Sequence, residues 1–255
     1  MSTQQAESFN ILLLGDDCQD VYHYGTVDRI SPEAPVPVFV PGHEETQPGM
    51  AGNVRRNLEA LGCNVNYLHG NTSVKTRLID SRSKQQLIRV DQDVISTPIK
   101  FDSEIPDVYD AVVISDYNKG TVDYELIATV RDLHPGPIFV DTKKTDLQHF
   151  HGCIVKINEL EYSRLVSKCK DIIVTLGPHG ARYHDKRYAA GSVEVADVCG
   201  AGDTFLAALT FGYLEYKDME LAIRFAIEAA SVTVQHIGCY APTLDEVLER
   251  MNDET

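Results

Sequence analysis

The sequence has no tryptophan, only four methionines, and 23 Lys and Arg against 38 Asp and Glu, for a net charge of −15 at pH 7. Proteins that track a phosphate backbone need clustered cations, so this deficit argues against nucleic acid as a partner. No apolar run approaches the ~18 residues of a membrane span, and the polar start MSTQQAESFN carries no targeting segment. These absences predict a soluble cytoplasmic protein that makes no membrane contact and has a short disordered tail. The six cysteines, Cys18, Cys63, Cys153, Cys169, Cys199 and Cys239, form no C-x-x-C pair and no regular spacing. That pattern excludes a zinc knuckle and a disulfide frame and predicts reduced thiols. The nine histidines show no H-x-x-x-H or H-E-x-x-H pattern, so none is assigned to a metal.

What is present is enough apolar residue, 43% of 255, for one large core, and a single domain over 1–255 is expected. Short Ile- and Val-rich runs at 11–15, 110–116, 136–141, 153–157 and 171–177 read as buried parallel strands, most ending at Gly, Asp or Asn. Helical patterns lie between or after them, at 51–62, 122–134, 204–216 and 219–238. The alternation predicts an α/β fold with a doubly wound, mostly parallel sheet between two helical layers, and ligands at the carboxyl ends of its strands. Two polar-alternating segments, 21–40 and 73–93, do not fit inside such a sheet. They are expected to form a small antiparallel β lid over the strand ends, the second with a turn near 81–84.

Three local patterns carry chemistry. In VADVCGAGDTFLAAL, glycines at 200 and 202 let backbone amides crowd an anion at a helix start, and Asp203 follows as a base or as a plain helix cap. In KINELE, Asn158 and Glu161 at a strand end are a metal-and-phosphate pair or an ordinary helix start. In GDDCQD, three acids follow a strand ending at Gly15, where an acid can bond sugar hydroxyls, and Asp16 and Asp17 read as turn residues.

GAGDTF resembles the signature of the ribokinase-like, phosphofructokinase-B-type carbohydrate kinases. Five blocks in family order, from GDDCQDVYHYGTVDRISPEAPVPVF to DVCGAGDTFLAAL, are similar to the D-glycero-β-D-manno-heptose 7-phosphate kinase subgroup. The resemblance implies a three-layer α/β/α sandwich with a β lid, and ATP-dependent phosphorylation of a sugar or sugar phosphate. It implies Asp203 as general base, with Gly200, Ala201 and Gly202 as the anion hole. Sugar would be bound by Asp20, Gly49 and Asn53, and an existing sugar phosphate by Lys75, Arg77 or Arg89 on the lid, with Lys119 and Lys143 as further cations. Nucleotide would sit near Thr175, Gly177, Gly180, Lys143, Asn158 and Glu161, with Mg²⁺ near Glu161 through water. The family's lids often pair between subunits, and Val36, Val38 and Val40 on one lid face predict a homodimer. Against the family pattern, the chain is short before the lid segment 73–93 and after Glu161. Cys199 stands where relatives often have Thr, and Ile227 where an Asn lies beside the adenine. The alternative function is a non-catalytic descendant that binds sugar or nucleotide and acts through protein contacts.

Overall fold

Ile11, Leu12, Leu13 and Leu14 are all buried, and strand alternation sends Ile11 and Leu13 to one face, Leu12 and Leu14 to the other. A strand covered on both faces belongs inside a sheet with helices on each side. The computed structural model describes residues 8–101, 105 and 108–253. Among these the chain runs through β1 (Asn10–Ile30), β2 (Pro37–Met50), α1 (Ala51–Ala60), β3 (Asn64–Asp80), β4 (Gln86–Gln92), β5 (Ala111–Asp116) and α2 (Tyr124–Leu133). It continues through β6 (Ile138–Thr142), β7 (Ile154–Asn158), α3 (Glu159–Ser163), β8 (Asp171–Thr175), β9 (Ala181–Tyr183) and β10 (Lys186–Tyr188). Three helices close it: α4 (Ala201–Tyr216), α5 (Met219–Thr233) and α6 (Leu244–Asp253).

The strands form one mixed sheet in the order β10-β9-β8-β7-β6-β5-β1-β3-β4, with β2 paired to β1. From β8 to β3 the neighbours are parallel, while β2, β4, β9 and β10 pair antiparallel. Val54 and Leu58 of α1, Leu206 of α4 and Phe225 of α5 pack on one face against Ile11, Leu13, Val113 and Phe139. Leu126, Ile127 and Val130 of α2 pack on the other against Leu12, Leu14, Ile114 and Val140. The result is the expected three-layer sandwich.

The first strand does not stop at Gly15. It pairs with β5 only over Ile11–Gly15, then continues beside β2 and β3 out of the sheet. A register shift between Gly15 and Asp17 marks the point of exit, as a bulge does. Beyond it, four strands in the order β2-β1-β3-β4 make the lid, so the lid reaches from 17 to 50 rather than from 21 to 40. The turn between β3 and β4 falls at the expected place, with Asp80 accepting from the backbone and hydroxyl of Ser83.

Several element boundaries differ from the sequence reading. The helix expected over 51–62 ends at Ala60, and the one over 219–238 ends at Thr233, before Gly238 turns the chain with a φ of 80°. After Asn158, where the chain is short, there is a single helical turn, α3. The β9–β10 hairpin and α6 were not anticipated.

Candidate active site

Gly200 starts α4 with a φ of 75°, a left-handed conformation that a side chain would strain. Space forbids one as well: a Cβ there would lie 2.8 Å from Asn53 Nδ2 and 3.3 Å from Cys239 Sγ. Ala201 and Gly202 follow in the first helical turn, whose amides have no intrahelical acceptors and whose dipole favours an anion. Asp203 sits in the same turn and is 8% exposed. The cap position belongs to Gly200, and no side chain caps this helix, so Asp203 is not spent as a cap.

The Asp203 carboxylate is held from other elements. Asn53 Nδ2 donates to Oδ2 at 2.9 Å and Tyr117 Oη donates to Oδ1 at 3.0 Å. Asn57 Nδ2 in turn donates to the Asn53 carbonyl at 2.8 Å, and Thr204 Oγ1 donates to Asn57 Oδ1 at 2.8 Å. Polar side chains therefore tie α1 to α4 directly beneath the site. Burial pushes the Asp203 carboxyl up to about 6 against the opposing Asn53 hydrogen bond; Asp141 adds to the rise, and Lys156 and Tyr117 oppose it. Such a carboxyl is mostly ionised at neutral pH yet is a stronger base than a solvated aspartate.

A chain of buried and half-buried charges forms the second wall, at the carboxyl ends of β6 and β7. Lys156 Nζ bonds Asp141 Oδ2 at 2.7 Å, while Lys143 Nζ reaches Asp141 Oδ1 at 3.4 Å and Glu161 Oε1 at 2.5 Å. Burial alone would raise Asp141, but the ammonium groups of Lys156 and Lys143 hold it below the usual carboxylate range. A Cβ on Gly202 would lie 2.9 Å from Lys156 Nζ, so this ammonium stands against the glycine turn. Sequence reasoning missed Lys156. The available signal was a lysine inside the buried run CIVKI, a place where an unpaired charge is too costly to persist.

Asn158 and Glu161 form a capping box: Asn158 Oδ1 accepts from the Glu161 amide, and Glu161 Oε2 from the Asn158 amide, each at 2.8 Å. The helix-start reading is thus realised. Both Glu161 oxygens accept hydrogen bonds, and among the described residues no three His, Cys, Asp or Glu side chains gather to hold a metal. This donor set fits only a cation that keeps its waters and takes inner ligands from phosphates. Nearby, Thr175 Oγ1 donates to the Ile157 carbonyl at 3.4 Å. Gly177, with a φ of 56°, has open space where a Cβ would be. Gly180 serves packing instead, since a Cβ there would stand 2.0 Å from the Tyr188 carbonyl.

On the lid side, Asp20 is 7% exposed and accepts from Arg77 Nη1 at 2.6 Å. It lies within β1, not at a strand end. Gly49 is required by it, because a Cβ there would be 2.3 Å from Asp20 Oδ2. Lys75 Nζ lies 5.7 Å from the Tyr117 ring centroid and has no carboxylate in ion-pair range among the described residues. Arg89 is not brought to the site: it is exposed on the outer strand β4 and pairs with Asp91 at 2.8 Å. Lys119 pairs with Asp93.

Two further readings, of Asp16 and Asp17, are corrected. Asp16 is no local turn residue; it accepts from the amides of Tyr117, Lys119 and Thr121 at 2.8, 3.0 and 3.2 Å and so pins the loop that carries Tyr117. Asp17 accepts from Tyr67 Oη and Thr72 Oγ1 at 2.8 and 2.6 Å. Ile227 is a core residue, 4% exposed among Phe225, Ala226 and their neighbours.

Residues 144–246 match the pfkB family carbohydrate kinase group. The bifunctional protein HldE of Nitratiruptor sp. is 33% identical over 303 residues, covering 94% of this chain. The chain spans 64% of that relative's length. Phosphofructokinase-2 from Escherichia coli in complex with potassium superposes with a TM-score of 0.75 at 18% identity, over 96% of this chain and 99% of the other. Arabidopsis thaliana ribokinase complexed with ribose and ATP superposes with a TM-score of 0.69 at 18% identity, again over 96% and 99%. The fold is therefore ribokinase-like.

Proposed function

We propose that the chain, whose residues 144–246 match the pfkB family of carbohydrate kinases, transfers the γ-phosphoryl group of ATP to a hydroxyl of a sugar or sugar phosphate. The carrying observation is the Asp203 carboxyl, buried at a helix start between two fixed donors and beside a buried cation. In the reaction the acceptor oxygen bonds to γ-phosphorus, the bond from γ-phosphorus to the β,γ-bridging oxygen breaks, and the hydroxyl proton passes to Asp203. The turn Gly200–Ala201–Gly202, the α4 amides and Lys156 face the charge on the transferred group.

The sugar lies under the lid near Asp20 and Asn53, with Lys75 free to meet a phosphate it already carries. The nucleotide occupies the side of Thr175, Gly177 and Lys143. Asn158 and Glu161 would hold Mg²⁺ through its waters, and the ion supplies neutralisation of the phosphates. Similarity of the lid and PGMAGN blocks to the heptose kinases makes a heptose 7-phosphate-like sugar the first acceptor to try. Use of ATP and free thiols favour the cytoplasm as the site of the reaction.

The lid leaves Ile30, Val36, Val40, Ile88 and Val90 exposed, and a homodimer through this surface would cover them. Light scattering at micromolar concentration should give twice the 28.3 kDa chain mass, and a monomer there removes the dimer. The activity is tested by ADP release with ATP, Mg²⁺ and a panel of sugars and sugar phosphates. Release that depends on an acceptor is expected; none across the panel leaves the non-catalytic binding protein as the reading.

A further inference from the structure

We propose that Tyr117 is a positioning residue of the phosphoryl transfer, its phenol fixing both the orientation and the proton affinity of Asp203. The inference rests on the reading of Asp203 as the base. Tyr117 Oη donates to Asp203 Oδ1 at 3.0 Å while Asn53 donates to Oδ2 at 2.9 Å. Two donors on different oxygens stop the carboxylate from rotating, and each oxygen keeps a lone pair for an acceptor hydroxyl.

Tyr117 is itself held in place. Its amide donates to Asp16 Oδ2 at 2.8 Å, and Asn118 follows with a φ of 59°, a left-handed conformation that sets the direction of the loop. Two cations approach the ring, Lys75 from the lid at 5.7 Å and Lys143 from beyond β6 at 5.1 Å, both measured to its centroid. The ring therefore stands where lid, base and phosphate-side cations meet. Burial, and then the charge of Asp203, raise the Tyr117 phenol well above its ordinary range, so it stays protonated and remains a donor at any working pH.

Around Asp203 the charged and titratable groups are Tyr117 from the loop, Asp141 from β6, Lys156 from β7 and Cys239 from the segment after α5; Asn53 from α1 adds a neutral donor. Of these, Tyr117 can be altered with least disturbance, since phenylalanine keeps the ring and its two cation contacts and removes only the donor. Losing a donor to the ionised form raises a carboxyl's pKa. In Tyr117→Phe the base should thus hold its proton at a pH where the parent has released it.

The test is Tyr117→Phe with two readouts. The first is carboxyl ¹³C NMR titration of Asp203, assigned by its loss in Asp203→Asn. The second is the pH profile of kcat/KM with ATP, Mg²⁺ and heptose 7-phosphate. The titration is expected to move up by about one pH unit and the acidic limb to move with it, as loss of one hydrogen bond to a carboxylate implies. Activity should fall about twofold at pH 7 and about fivefold at pH 6, and recover in alkaline buffer, with both KM values unchanged. A titration that stays in place, or a loss of activity equal at every pH, overturns the proposal and leaves Tyr117 as packing. A titration that moves in a parent protein without kinase activity keeps the Tyr117–Asp203 coupling and overturns the base assignment instead.

Discussion

Arg77 and Asp20 form an ion pair of 2.6 Å, with both side chains at most 15% exposed, joining the lid strand β3 to β1 where it leaves the core. The carboxylate is trapped on its other side by Gly49, whose missing Cβ leaves room for Oδ2. Gly49→Ala should therefore break the pair rather than merely crowd it. The expected cost is about 1–3 kcal/mol, the usual range for an overpacked buried site. The KM for sugar should rise several-fold while the KM for ATP stays level. An unchanged sugar KM would remove Asp20 from the sugar site.

The three lid cations should separate cleanly. Lys75→Ala is expected to raise KM for a phosphorylated sugar, to leave KM for ATP alone and to melt near the parent temperature, because no ion pair is lost. Arg77→Ala leaves a buried carboxylate unpaired and should show first as lost stability, about 3–5 kcal/mol by the behaviour of broken buried pairs. Arg89→Ala should change neither kinetics nor melting, since its partner Asp91 is on the same exposed strand. Steady-state kinetics for both substrates beside thermal melts decide it. Equal KM effects on both substrates from Lys75→Ala would end its role as a phosphate clamp.

Gly202→Ala probes the anion hole without replacing a charged group. Alanine is the better helix former by about 1 kcal/mol, so the melting temperature should hold or rise. Its Cβ, however, would stand 2.9 Å from Lys156 Nζ, in the space that the proposed mechanism gives to the transferred group. Turnover should fall by about 10²-fold, on the scale of losing one oxyanion donor. Parental turnover in the alanine variant would place the phosphoryl group elsewhere.

The sheet was legible because its strands are short apolar runs. Ile11–Leu14 and Ala111–Asp116 show their double burial in composition alone. Asp203 was legible because glycines before a helix are a local signal. What escaped depends on partners far along the chain. GDDCQD reads as a turn, yet Asp16 bonds amides 101 to 105 residues away, and the strand continues past it with a shift of register. Lys156 and Tyr117 are ordinary residues in sequence. They become site residues only when β7 and the 117–121 loop are brought to the start of α4. Asn158–Glu161 was legible as a pair, but that it closes as a capping box while Lys143 takes the other Glu161 oxygen depends on how β6 and β7 are brought together.

Asp203 should also mark the protein's stability. With a folded value of about 6 against an ordinary 3.8, the native state holds this proton more tightly than the unfolded chain does. Stability from this group is therefore greatest below pH 4 and is lost as pH rises toward about 6. At pH 7 the buried charge costs up to about 3 kcal/mol, two pKa units at 1.36 kcal/mol each. Asp203→Asn should melt higher than the parent at pH 7, and the difference should close near pH 4. A difference that does not change with pH would mean that the carboxyl titrates as a solvated one.

The most direct measurement is kcat of Asp203→Asn, taken beside its melting temperature and its affinity for ATP. Asparagine can keep the bond from Asn53 but cannot take a proton from the acceptor hydroxyl. Turnover should fall by roughly 10²–10⁴-fold, the contribution of a positioned general base, in a protein that folds and still binds ATP. A variant that folds, binds ATP and phosphorylates near the parental rate would contradict the assignment of Asp203 as the base.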